Sequence, residues 1–372
     1  MKILYITTIG ATLGFFEKYI GLLLDNGNKV DVACGDIDSV PEFYKNKRIR
    51  CYRLSCSRSI LDLGNVKTVG EIQRIVKKNK YDIVHCHTPI AAACTRLACK
   101  KLRKKKNLKV IYTAHGFHFY KGAPFVNWLI YYPIELWLSR YTDLLITINR
   151  EDYTRALKKM HAPKIKFIPG VGFDYSKFAD CSVDKNVKRS EFDIKEDDYL
   201  LISVGELNKN KNHQVVIKAL SKIKNKKVKY LIVGEGELKN HLRELAVNLD
   251  VQDRVLFAGF RTDVDELLAM SDVFIFPSIR EGLGLSALEA LASGLPLIAV
   301  NNRGVVEYAA DGITGHLISD PNDVKGFVKS IKSILSNKDE AVFFGENGKR
   351  IAKKYDYKRV NKKLYKLYLS LF

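Results

Sequence analysis

Val273-Phe274-Ile275-Phe276-Pro277 is a short apolar run closed by proline, and Glu281 to Val300 follows it as EGLGLSALEALASGLPLIAV. A run of this kind reads as a strand buried on both faces of a parallel sheet. Glu281 then falls in the loop at the strand's carboxyl end. Gly282 and Gly284 supply backbone freedom and let a phosphate-bearing ligand approach the N-terminus of the helix that begins near Leu285. That helix carries Leu285, Leu288 and Ala292 on one side and Glu289 on another, and Leu297 to Val300 returns as a strand. Strand, glycine loop, helix and strand make up the repeating unit of a doubly wound α/β sheet. Glu281 and Glu289 are about two helical turns apart, so both carboxylates look into one crevice, where each is a bidentate acceptor for vicinal hydroxyls. A soluble helix with two surface glutamates has the same pattern.

The same alternation runs through the rest of the chain. In the first half, strand-like runs fall at Leu4–Thr7, Lys29–Cys34, Arg50–Leu54, Asp82–His87, Lys109–His115 and Leu144–Ile148. The first ends in the loop Thr7 to Gly14, which is not G-x-G-x-x-G and reads as a flexible loop near an acceptor or a diphosphate. Asp82 to Pro89 ends a strand with His85-x-His87. Two histidines on one side of a strand give a metal only two ligands, so His87 is expected in substrate contact or loop packing, with no metal site. His115 leaves its strand at Gly116, placed to hydrogen-bond a ligand, and His118 is a second candidate. Ile168 to Phe178 is turn-rich and marks a domain boundary. A second alternation begins at Tyr199–Gly205, continues at Tyr230–Gly234 and reaches Asp272–Phe276 and Leu297–Val300. Gly234-Glu235-Gly236 is a lone G-x-G.

The E-x7-E pattern of Glu281 and Glu289, with its glycine-rich interior and the following Ala-Ser-Gly-Leu-Pro, resembles the donor-site signature of retaining nucleotide-sugar glycosyltransferases of family 4. The segments DIVHCHTP, Thr113 to Pro124 and the G-x-D-x-x-x-F spacing at Gly172 to Phe178 resemble the corresponding family segments, so the likeness extends along nearly the whole chain. It implies an α/β chain of the GT-B fold, two Rossmann-like domains facing a cleft: an acceptor domain over residues 1–172, a donor domain over 173–355, and a last helix, 356–372, crossing back to the first. It implies donor contacts from Gly205, Glu206, Lys211, Arg261, Glu281, Gly282, Gly284, Leu285 and Glu289, with Lys211 on the leaving diphosphate and Glu289 on the ribose. His115 inherits a place beside the reacting sugar; Gly14, His87 and His118 fall on the acceptor side. Glu206 stands where the family carries arginine, reversing the charge at that point.

Composition limits the alternatives. Apolar content of 47% and charged content of 28% are those of a globular protein. Seven scattered cysteines with no Cys-x-x-Cys pair suggest reduced thiols in a cytosolic protein. No N-terminal signal or spanning helix is expected. The formal charge is +21, and residues 1–172 carry +17 of it. Within that half, Lys100 to Lys106 (KKLRKKK) closely precedes a segment rich in aromatics, Phe117 to Trp137. Cations beside aromatics fit an anionic membrane surface, and also single-stranded RNA.

The expectation is a metal-independent, retaining transferase without cofactor, moving a hexosyl or N-acetylhexosaminyl group. Its donor is a nucleotide-diphosphate sugar, most simply a UDP-sugar; its acceptor is a polyprenyl-diphosphate-linked saccharide of a bacterial envelope glycan. It would work in the cytoplasm, peripherally on the inner face of the membrane. The rivals are a GT-B nucleotide-sugar 2-epimerase and a basic RNA-binding protein. The second lacks an RRM- or KH-type motif, and no nucleic-acid partner is expected.

Overall fold

The structure is a computed structural model that describes residues 1–57, 59, 62–105 and 107–372, with only the backbone of Lys105. The chain divides into two compact units, Met1–Gly172 with Tyr357–Phe372, and Phe173–Asp356.

Among the described residues the first unit holds seven strands: β1 (Lys2–Ile6), β2 (Lys29–Cys34), β3 (Cys51–Arg53), β4 (Ile83–His87), β5 (Lys109–Ala114), β6 (Leu144–Thr147) and β7 (Lys164–Phe167). All pair in parallel in the order β3-β2-β1-β4-β5-β6-β7. Alternate residues bury against opposite helical layers, because successive strand side chains point to opposite faces. Leu4, Val84, Val110 and Tyr112 enter one core, and Ile3, Tyr5, Ile83 and Ile111 the other. The second core is sealed by the last helix, Tyr357–Leu369, through Val360 and Tyr368. Tyr368 is fully buried, and its hydroxyl lies 2.8 Å from that of Tyr5 and 2.5 Å from Nδ1 of His85.

The second unit has six strands: β8 (Tyr199–Val204), β9 (Val228–Val233), β10 (Val255–Gly259), β11 (Val273–Phe276), β12 (Leu297–Val300) and β13 (Gly315–Ile318). Their order is β10-β9-β8-β11-β12-β13, again parallel. Each sheet reverses its winding once, between β1 and β4 and between β8 and β11. Such switch points open a crevice at the strands' carboxyl ends, which fixes where ligand groups belong.

Candidate active site

At the β8/β11 switch point the chain supplies two loops, one after Val204 and one after Phe276. Asn210 stitches them: its amide donates to the Arg280 carbonyl at 2.9 Å, its Oδ1 accepts from Arg280 N at 3.2 Å, and its carbonyl accepts from Ile279 N at 2.8 Å. The next residue, Lys211, thereby reaches Glu281, with Nζ 2.7 Å from Oε1. The ammonium also lies 5.1 Å from the centre of the Phe276 ring. Gly205 makes room for this stem, since a Cβ there would sit 3.1 Å from Lys211 Cε.

Gly284 caps the helix Leu285–Ala292 with φ +84°, the left-handed region, and a Cβ there would fall 2.7 Å from the Phe276 ring. Glycine is demanded by backbone and space together. The N-terminal turn of this helix, at Leu285, presents amides and the positive dipole end beside the Lys211–Glu281 pair. Tyr308 supports the turn by donating to the Gly284 carbonyl at 3.3 Å. Gly304 packs on the other side, where a Cβ would meet the Glu281 carbonyl at 2.8 Å. About one turn into the helix, Glu289 is largely enclosed, and burial pushes its carboxyl up to about 7, against a smaller downward pull from Lys177.

Other residues singled out in the sequence sit differently. Glu206 is exposed and accepts from Asn208 Nδ2 at 3.0 Å, so the reversed charge faces its own loop. Arg261 is held by Asp263, with Nε 2.8 Å from Oδ1, and by Glu191 at 2.9 Å, which makes it a member of an ion cluster with Lys188. Gly234 and Gly236 serve packing, because a Cβ on either would strike the Gly205 or Leu207 backbone.

In the first unit, the β1/β4 switch point carries a second constellation. Thr113 of β5 and His115, one residue past its end, lie on the side where His85 and His87 project from β4. His87 Nδ1 lies 3.0 Å from His115 Nε2, and His85 Nε2 lies 2.8 Å from Thr113 Oγ1. His115 stays partly exposed, whereas His87 is only 2% exposed. The His87 ring therefore lies beneath His115. Burial lowers His85 and His87 well below the ordinary histidine range, and holds His115 down to about 4. Among the described residues no histidine, cysteine and carboxylate group is arranged to hold a metal ion.

Gly14 is exposed, and a Cβ there would meet, among the described residues, only Pro41 at 3.7 Å; the crowded loop glycine is Gly10, where a Cβ would fall 2.2 Å from the Asp36 carbonyl. Beside it opens a cavity of about 300 Å³ lined by Thr8, Ile9, Thr88, Ile90, His118 and Tyr131. His118 stacks on Tyr131 there, ring centres 4.5 Å apart.

Tyr131 belongs to the helix Phe125–Leu138, which shows how the aromatic segment divides. Phe117 and Phe119 are core, while Phe125, Val126, Leu129, Ile130, Ile134 and Trp137 form an exposed stripe at i, i+4 spacing, with Phe125 79% and Leu129 65% exposed. The helix's one charged residue, Glu135, turns inward to meet Arg96 in a two-pronged pair at 2.7 and 3.0 Å. Lys100 lies 4.8 Å from the Tyr141 ring and 5.8 Å from that of Trp137, at the stripe's end. Arg103 leaves the basic run, since it grips Asp143 and the Arg140 carbonyl. Lys106 and the Lys105 side chain lie outside the described residues. No helix among the described residues is long and apolar enough to cross a membrane.

Residues 2–149 match the family described as Glycosyl transferase 4-like, and residues 184–351 match Glycosyl transferases group 1. The chain is 36% identical to a putative glycosyltransferase EpsD of Bacillus subtilis (strain 168), over 99% of this chain and 96% of that one. It is 28% identical to a UDP-Gal:alpha-D-GlcNAc-diphosphoundecaprenol alpha-1,3-galactosyltransferase of Escherichia coli, over 83% and 80%. Among solved structures, Anabaena Alr3699/HepE in complex with UDP and glucose superposes with a TM-score of 0.82 over the whole of both chains at 19% identity, a likeness of fold.

Proposed function

The chain belongs to the glycosyl transferases group 1 family and has the GT-B fold of two Rossmann-like domains; on that premise we propose that it moves a hexosyl or N-acetylhexosaminyl group from a UDP-sugar, with retention, to a lipid-linked saccharide at an anionic membrane surface. The observation that carries the donor half is the Lys211–Glu281 pair at the head of the helix bearing Glu289. Transfer requires stabilising negative charge on the departing diphosphate while the acceptor hydroxyl attacks the same face of the sugar. Lys211 has three N–H donors, and one of them serves Glu281. The others are available to phosphate oxygens, together with the amides near Gly284 and Leu285. Glu281 then accepts from sugar hydroxyls, Glu289 from the ribose, and His115 contacts the reacting sugar.

The acceptor half draws on three supports. The name of the Escherichia coli relative gives a diphosphoundecaprenol-linked acceptor and a UDP-galactose donor. The apolar stripe of Phe125–Leu138 has no exposed carboxylate, and exposed Lys100, Lys101, Lys104, Lys121 and Arg140 lie near it in sequence. Apolar insertion beside cations is the pattern of an interfacial helix on an anionic leaflet. Such a placement fits envelope polysaccharide synthesis on the cytoplasmic side of the membrane.

Mass spectrometry of products formed from a panel of UDP-sugars on membrane extracts tests this reading. A lipid-linked product one sugar heavier, formed equally in EDTA, is expected. UDP-sugar turnover that ignores the extract, or activity that vanishes in EDTA and returns with manganese, contradicts it.

A further inference from the structure

The parallel register of β4 and β5 decides which groups meet beneath His115. His85 lies opposite Ile111 and His87 opposite Thr113. Each histidine reaches diagonally to the residue two beyond its partner, giving His85 to Thr113 and His87 to His115. The His87 ring is clamped in its plane by Phe16, 4.2 Å between centres, and by Tyr5, stacked at 5.4 Å and 16°. Its Nε2 is buried and has no hydrogen-bond partner among the described residues.

Two neutral imidazoles facing nitrogen to nitrogen at 3.0 Å share one proton between them. Were that proton on His115, neutral His87 would carry its own on Nε2, as a buried N–H with no acceptor among the described residues. Orphaned buried N–H groups are the rarer and costlier defect, compared with a bare acceptor. We infer that His87 is a positioning residue, which donates from Nδ1 to His115 Nε2 and so fixes the proton of His115 on Nδ1. His115 is then a neutral hydrogen-bond donor at its other nitrogen. It is suited to hold a sugar oxygen, and it cannot take a proton at that atom. The catalytic meaning rests on the proposal that His115 meets the reacting sugar; the tautomer itself does not.

Long-range proton–nitrogen spectra of the full chain labelled with 15N-histidine read each ring's tautomer directly, with His115→Gln and His87→Asn assigning the signals. Protons on Nδ1 of both rings are expected. A proton on Nε2 of either His87 or His115 overturns the inference. Turnover of UDP-N-acetylglucosamine, followed as UDP release, gives the functional arm. His87→Asn returns an amide donor to the Nδ1 position and is expected within about threefold of wild type. His87→Leu is expected to lose roughly tenfold in kcat with little change in donor KM. Equal losses in both variants overturn the positioning role. If His115→Ala retains its kcat, the sugar contact fails while the spectra still decide the tautomer.

Discussion

Lys211 and Glu281 lie 70 residues apart in sequence, and their side chains meet at 2.7 Å at the head of the helix Leu285–Ala292. The ion pair gives the crevice a cation whose position is fixed by a carboxylate and by the Asn210 stitch, before any phosphate arrives. A fixed cation stabilises developing charge without reorganising at the moment of reaction.

Lys211→Ala is therefore expected to lower kcat by roughly 100-fold or more, with a smaller change in donor KM, as for the loss of one preorganised donor to a developing charge. Steady-state kinetics on a UDP-sugar checks it. An unchanged kcat removes Lys211 from the catalytic set.

Glu289 makes the second prediction through pH. Its folded-state value, about 7, lies above that of an exposed glutamate, so the folded protein is stabilised relative to the unfolded chain only while both hold the proton. As pH rises from about 4.5 through 7, the unfolded chain ionises first, and stability from this group is lost. Glu289→Gln removes that loss, so its melting temperature should exceed wild type by a few degrees at pH 8 and match it near pH 4.5. Thermal scans showing a constant offset across that range contradict the assignment.

How much of this was legible in the sequence follows the physics of burial. Central strands such as β1, β4, β8 and β11 announce themselves as apolar runs, because both faces are covered. The strands missed were β7, β10 and β13, and all three are sheet edges. β7 alternates lysines outward in Lys164-Ile165-Lys166-Phe167, the charged dressing that edge strands carry, and it loses the apolar signal. The E-x7-E residues stood out as carboxylates flanking a glycine loop after a strand, and Lys211 through the family resemblance. Asn210, Gly304 and Tyr308 gave no such sign; their value lies in contacts across 70, 23 and 24 residues that only the folded chain defines. Likewise, His-x-His marked a site, yet the strand register is needed to tell that His87 lies under His115, and the packing of the last helix to tell that His85 is tied to Tyr368, 283 residues away.

Gly284→Ala tests the helix head. A left-handed backbone costs a non-glycine residue about 1–2 kcal/mol, before the new methyl meets Phe276 at 2.7 Å. The variant should unfold at lower denaturant and lose turnover, while Gly14→Ala, with only Pro41 within 4 Å of the added carbon, should keep both. Urea titrations of the two, side by side, read the difference; equal midpoints contradict the packing described.

Membrane binding should depend on both the stripe and the cations. Phe125→Ser with Leu129→Ser is expected to reduce co-sedimentation with phosphatidylglycerol vesicles at every salt concentration. Lys100, Lys101 and Lys104 changed to glutamine should reduce it chiefly at low salt, each contributing on the order of 1 kcal/mol. Binding that is unchanged in both variants would make the stripe a plain exposed face.

The most direct test of the donor site is calorimetric titration of UDP at pH 8, where Glu289 is ionised, into the wild-type protein and into folded Glu289→Gln. One UDP site per chain is expected, weakened by roughly 10- to 150-fold in the variant, the equivalent of about 1.5–3 kcal/mol for a lost charge-assisted hydrogen bond. Equal affinities in the two proteins would contradict it.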